Sequence, residues 1–224
     1  IPKDKSIHKI NRATQLYQKP KKNSIVIFVN PSTPDGKYYN LTKLIALWKK
    51  QKCTIILDES FLEFEDLPSF RDEIKHYKKL YIIHSFSKFY SCAGVRIGAI
   101  FSNKKNIKRL TIPLWNLSSF DVAFLEERLN DKNFVKKSRQ QHKKNKKELR
   151  SILIESKQFD KVISSDSNFI LTKSNNAQML FKKLLAHKVL LRSCESFDFL
   201  DTSYLRFAVK DSDAHQYLKK VLSE

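Results

Sequence analysis

The stretch YIIHSFSKFYSCAGVRIGAIF, Tyr81 to Phe101, runs an apolar segment into two serines and a lysine. Ser85, Ser87 and Lys88 stand where such a run ends, and Arg96 follows eight residues later between Gly94 and Gly98. Two earlier apolar runs end the same way, SIVIFV at Asn30, opening NPSTPDG, and TIIL at Asp58, opening DES. An amine able to form an imine, a carboxylate able to hold a pyridinium nitrogen protonated, an amide for a phenolic oxygen, and hydroxyls with a guanidinium for a phosphate complement one another. Together they are what a pyridoxal phosphate (PLP) site requires, with Lys88 as carrier and proton shuttle, Asp58 at the ring nitrogen, and Ser85, Ser87 and Arg96 on the phosphate.

For these residues to meet, the runs must be neighbouring parallel strands. Ligands in open α/β sheets bind outside the carboxyl ends of the strands. Short Ile- and Val-rich runs alternate here with longer helical patterns, which predicts an α/β protein with a mostly parallel sheet flanked by helices. Strands are expected at Ser24 to Val29, Thr54 to Leu57, Leu80 to His84 and Ile97 to Ser102, and helices over Asn40 to Lys50 and Ser69 to Lys79. From Ser119 to about Ser156 the pattern is wholly helical. Short strands return at Asn168, Val189 and Tyr204, with helices near Asn176 to His187 and Asp211 to Leu222. This tail predicts a small C-terminal α+β domain, giving a division at residues 1–130 and 131–224.

Glycine use supports the placement. Average composition gives roughly 7% glycine, yet this chain of 224 residues has three, Gly36, Gly94 and Gly98. All three lie in the candidate segments, so they are expected where a side chain cannot be accommodated. Pro31, Pro34 and Gly36 make NPSTPDG a rigid loop.

Composition narrows the function classes. A hydrophobic share of 41% and an aromatic share of 12% exclude a disordered chain. No apolar run approaches the ~20 residues of a membrane span, and IPKDKSIHKI has no signal-peptide core, so the expected compartment is the cytoplasm, with no membrane partner. Three widely spaced cysteines and six unclustered histidines give neither a disulfide framework nor a metal site. The formal charge of +20 is densest from Lys132 to Arg150. There it reads as the solvated face of a long helix, and no nucleic-acid partner is expected.

NPSTPDG, DESFLEF and SFSKFYSCAGVRIG, in this order and spacing, resemble the fold-type I PLP enzymes of the class I/II aminotransferase family, nearest its histidinol-phosphate aminotransferase and threonine-phosphate decarboxylase branch. VLLRSCESFDFLDTSYLRFAV is similar to that family's C-terminal segment. The resemblance implies Lys88 as the imine lysine, Asp58 at the ring nitrogen, Asn30 at the phenolic oxygen, and Ser85, Ser87 and Arg96 on the phosphate. It also implies Arg206 on a substrate α-carboxylate and Arg192 on a substrate phosphate. The expected activity is transamination of a small, phosphorylated amino acid or amine by a homodimer; the alternatives are a threonine-phosphate decarboxylase-like lyase and a truncated, non-catalytic fragment. Two departures stand out. Many relatives carry tyrosine where this chain has Phe61. The family also has an upstream portion, which supplies a helix end for the phosphate, an aromatic over the ring and much of the dimer interface, and nothing before Ile25 resembles it.

Overall fold

The computed structural model describes residues 6–111 and 117–224. The first sheet has the order β1 (Ile25–Val29), β2 (Thr54–Asp58), β3 (Leu80–Ser85), β4 (Gly98–Phe101). The first three strands are parallel and β4 returns antiparallel. Short helix α1 (Arg12–Gln15) precedes β1. Helix α2 (Thr42–Lys50) makes the first crossover and buries Leu44, Ile45 and Trp48 against Phe28, Ile55, Leu57, Leu80 and Ile82. These strand residues alternate with outward ones, so one face of the sheet carries the core.

The second crossover departs from expectation. Of the span Ser69 to Lys79, only α3 (Glu73–His76) is helical. The buried Glu59 carboxylate accepts hydrogen bonds from the Ser69 hydroxyl (2.6 Å) and the Phe70 amide (2.9 Å), which holds the chain in a loop before the helix starts. Past its end, the Tyr77 hydroxyl donates to the Cys53 carbonyl.

Beyond α4 (Lys104–Ile107), the long helical pattern divides into α5 (Ser119–Asn130) and α6 (Lys132–Glu155). Asp131 breaks helical geometry between them, and its carboxylate accepts from the Phe134 amide at 2.8 Å. Arg139, on the first half of α6, binds Glu63 and Asp66, and Lys146 binds Glu65 and the Ser165 carbonyl. Leu149, Ile152 and Leu153, on its last turns, belong to a second core. That core lies under an antiparallel sheet of order β5 (Lys161–Val162), β6 (Phe169–Lys173), β8 (Tyr204–Ala208), β7 (Arg192–Ser193), with α7 (Ala177–Ala186) and α8 (Ser212–Ser223). The strand expected at Val189 shrinks to β7, because Val189 to Leu191 lack ladder partners and Leu190 is almost fully exposed. The remaining α6 lysines, Lys132, Lys136, Lys137, Lys143, Lys144 and Lys147, face solvent. Among the described residues, no helix is long and apolar enough to cross a membrane.

Candidate active site

Parallel register carries the first three polar residues to one rim. Val29 lies beside Asp58 and Asp58 beside Ile83. The Asn30 amide donates to the Asp58 carbonyl at 2.8 Å, and the Ser85 amide to Ser60 Oγ at 3.2 Å. Asp58 Oδ1 accepts from the amide and hydroxyl of Ser60, so the DES triplet orients its own carboxylate. Its other oxygen has no hydrogen-bond partner among the described residues. Asn30 is buried, with its side chain paired to the Tyr39 backbone on both sides at 2.8 and 3.0 Å, leaving one N–H proton to donate.

Lys88 follows β3 in an exposed turn, with Nζ 4.8 Å above the centre of the Phe61 ring. It makes no ion pair among the described residues. Ser87 is buried and donates its only hydroxyl proton to the Val95 carbonyl at 3.2 Å, which closes the turn that carries Lys88. Arg96 is exposed, and its guanidinium touches the Ala93 carbonyl at 3.5 Å. Ser85 and Arg96 thus stand open at the rim, whereas Ser87 holds the loop.

The glycines separate by cause. A Cβ at Gly98 would meet the His84 carbonyl oxygen at 2.8 Å, so Gly98 permits β4 to return beside β3. Gly36 has φ +71° and a side-chain position already filled by Ser165. At Gly94 a Cβ would face open space, so the expectation of crowding fails there among the described residues.

Arg206 reaches the rim from the second sheet. Its Nη1 donates to Thr33 Oγ1 at 3.0 Å, while the guanidinium lies 4.4 Å over Phe169, whose ring meets Phe61 edge-on at 5.3 Å. A continuous line, Lys88–Phe61–Phe169–Arg206–Thr33, therefore joins the two sheets. Arg192 pairs directly with Arg206 across the antiparallel ladder. Like charges so placed are destabilising, and neither makes an ion pair among the described residues. Burial pulls the Arg206 guanidinium below its ordinary value, the Cys194 thiol opposes this, and Arg192 lowers it further. The pair is suited to an incoming anion.

Sequence reasoning missed Ser60, Thr33 and Phe169. Ser60, two residues after Asp58, carried a local signal, the side-chain turn that Asp and Ser favour; Thr33 and Phe169 carried none. It also missed the charge cluster behind the rim. Buried His84 has Nδ1 3.4 Å from Arg71 Nη2 and Nε2 3.6 Å from Glu63 Oε1. Burial lowers its basicity, more than Glu63 restores it, and burial also lowers His142. Unfolded histidine titrates near about 6.5. Below that value the unfolded chain binds more protons than the folded one, so these residues reduce stability as pH falls. Glu59, raised by burial, acts in the opposite sense. The acid-side loss of Tm from about pH 7.5 to about 5.5 is therefore expected to be steeper in the natural chain than in His84→Gln. Equal slopes would remove His84 from the account.

A mostly parallel sheet with a lysine, a carboxylate and an amide near its carboxyl rim, met there by an arginine from a second sheet, is an α/β arrangement of the fold-type I kind. Residues 4–222 match the family model for aminotransferase class I and II, and the chain belongs to that family. Histidinol-phosphate aminotransferase of Flavobacterium johnsoniae is 26% identical over 203 residues, covering 89% of this chain and 58% of the relative. The crystal structure of histidinol-phosphate aminotransferase from Clostridium acetobutylicum has a TM-score of 0.81 at 34% identity, over 90% of this chain and 63% of that one. L-threonine-O-3-phosphate decarboxylase from Porphyromonas gingivalis has a TM-score of 0.77 at 26% identity, over 89% and 63%. The chain thus spans about three-fifths of the length of these relatives.

Proposed function

We propose that this chain carries the larger part of a PLP-dependent aminotransferase acting on a small phosphorylated amino acid or amine. The observation that carries the reading is the meeting of Asn30, Asp58, Ser85 and Lys88 on one rim, with one Asp58 oxygen and the Lys88 amine both unpaired among the described residues. This donor set fits the cofactor: an anion for the ring nitrogen, an N–H for the phenolic oxygen, a hydroxyl and a guanidinium for the phosphate, and an amine for the aldehyde. When bound, PLP supplies an electron sink for bonds at a substrate α-carbon.

The chain's own residues supply the rest. Asp58, oriented by Ser60, favours the protonated ring nitrogen. Asn30 donates its remaining proton to the phenolic oxygen, while Ser85 and Arg96 hold the phosphate, joined by Ser87 if its bond to Val95 is exchanged. Lys88 anchors the cofactor and, once displaced by substrate, moves a proton as base and then acid. The face of Phe61 holds Nζ in place through a cation–π contact at 4.8 Å. Arg206 takes the α-carboxylate and Arg192 the substrate phosphate. Residues 1–130 would form the cofactor-binding part and 131–224 the small domain, in a cytoplasmic homodimer.

The same two arginines fit equally a second reading, a decarboxylase of a phosphorylated amino acid. The resemblance associates phenylalanine at the Phe61 position with that branch. Release of carbon dioxide from L-threonine O-3-phosphate, rather than amino transfer to a keto acid, would select it. The class itself is tested by incubating the chain with PLP, reducing with borohydride and mapping the labelled peptides. The label is expected on Lys88, and no label, or one scattered over surface lysines, refutes the reading.

A further inference from the structure

Arg192 and Arg206 stand opposite each other on β7 and β8, so both side chains leave the same face of the second sheet. Among the described residues neither meets a carboxylate, and aromatic rings hold them instead. Arg206 lies 4.4 Å over Phe169 and donates to Thr33, so its position does not depend on its neighbour. Arg192 is exposed, and its guanidinium has one partner among the described residues, the Phe197 ring, whose centre is 4.9 Å away. The same ring centre is 5.8 Å from the Arg206 guanidinium. Both distances fall within the roughly 6 Å over which a ring face attracts a cation.

The turn that carries Phe197 is anchored in the second sheet. Cys194, fully buried, donates its amide to the Tyr204 carbonyl at 3.1 Å, and its carbonyl accepts from the Phe197 amide at 3.0 Å. The Leu200 amide then donates to the Phe197 carbonyl at 3.2 Å. Between them Phe199 is held at φ +65°, uncommon for a bulky side chain. Backbone held in this way clusters at ligand-binding segments. Asp198, beside Phe197 in the chain, pairs with Lys9 at 2.6 Å rather than with either arginine. The distinction has a chemical consequence. A carboxylate would occupy the N–H fork of a guanidinium and cancel its charge, whereas a ring positions the group and accepts none of its donors.

We propose that Phe197 is a positioning residue for the phosphate half of the substrate. Its ring holds Arg192 beside Arg206 with the charge of both intact, so the site favours an amino acid that carries a phosphate over one with a carboxylate alone. The inference rests on the reading that gives Arg206 the α-carboxylate and Arg192 the phosphate. In the absence of ligand the two guanidiniums repel, and the shared ring offsets part of that repulsion. A phosphate relieves the rest through charge-assisted bonds to Arg192. Because Arg206 keeps Phe169 and Thr33 whatever stands at position 197, loss of the ring falls on Arg192.

The test measures binding to the PLP-free chain from the NMR signals of the arginine side-chain N–H groups, with L-threonine O-3-phosphate and L-threonine as the two ligands. Phe197→Leu is expected to weaken binding of the phosphorylated ligand about tenfold, the equivalent of one such contact, and of L-threonine by less than about twofold. Phe197 lies outside the cores of both sheets, so the variant should fold. Phe197→Tyr keeps the ring face and should keep the affinity of the natural chain. Arg192→Gln is expected to lose the same preference for phosphate, and adding Phe197→Leu to it should change nothing further. Equal weakening of both ligands, a tyrosine variant as weak as the leucine one, or additive losses in the double variant overturns the inference. A loss in Arg192→Gln with none in Phe197→Leu also overturns it while the substrate reading stands. No loss in either variant overturns both.

Discussion

Gly36→Ala is expected to lower the stability of this chain more than any other single-methyl addition at its glycines. Two costs add. At φ +71° an L side chain crowds its own backbone, about 1–2 kcal/mol. The new methyl would also lie 2.1 Å from Ser165 Oγ, 3.0 Å from Ser165 Cβ and 3.3 Å from a Phe169 ring carbon. Overpacking of this kind costs about 1–3 kcal/mol. Ser165 has little freedom to give way, because its hydroxyl accepts from the Ser167 amide and its carbonyl from Lys146. The Gly36 carbonyl also accepts from the Asp166 amide at 2.8 Å, and the Asp166 carboxylate accepts from the Tyr38 amide at 2.9 Å, so displacement loosens the seam between the two sheets. The sum, about 2–5 kcal/mol, corresponds to a fall in Tm on the order of 10 °C for a chain of this size. Calorimetry would measure it. The double variant Gly36→Ala, Ser165→Gly should recover the steric part and keep the backbone part. Gly94→Ala, with open space at its Cβ, should stay within about 0.5 kcal/mol of the natural chain. An unchanged Tm for Gly36→Ala would mean that the loop and the 165–166 turn do not meet as described.

Arg206→Met is expected to have the largest effect on ligand binding with little effect on folding. Methionine can occupy the apolar space over Phe169 and Phe197 where the guanidinium now lies. Removing one of two facing arginines also relieves a repulsion with Arg192. What is lost is a planar, bidentate donor, and on the proposed reading that donor holds the substrate carboxylate. Charge-assisted hydrogen bonds contribute about 1.5–3 kcal/mol each, so affinity for L-threonine O-3-phosphate should fall by about a hundredfold. Arg206→Lys should fall less, keeping the charge and losing the fork. Titration calorimetry on the PLP-loaded chain is the measurement, and unchanged affinity in both variants would remove Arg206 from the substrate site.

The parts of the rim that were legible share a simple cause. Asn30, Asp58 and Ser85 each stand at the end of an Ile- and Val-rich run, and a parallel sheet aligns such ends by its ladder. The first crossover helix was legible because α2 repeats its apolar residues with helical spacing. The second was not, since the bonds that keep Ser69 and Phe70 out of a helix come from Glu59, ten and eleven residues earlier. Its pattern alone favours helix, and a buried carboxylate outweighs that preference.

By itself the sequence determined the α/β order, the polar residue at each strand end and the separateness of Lys88, because these depend on short-range alternation of apolar and polar residues. Only the tertiary structure decided that Arg206 meets Thr33, that Gly36 yields to Ser165, that Ser87 turns inward to Val95, and that Ile25, Ile27 and Ile100 face outward. The first two are contacts between segments more than 120 residues apart, set by how α6 bridges the cores rather than by local propensity. The uncovered face is subtler. Its isoleucines read as core in any sequence, and only the position of α2 on the opposite side shows which half of them is exposed among the described residues.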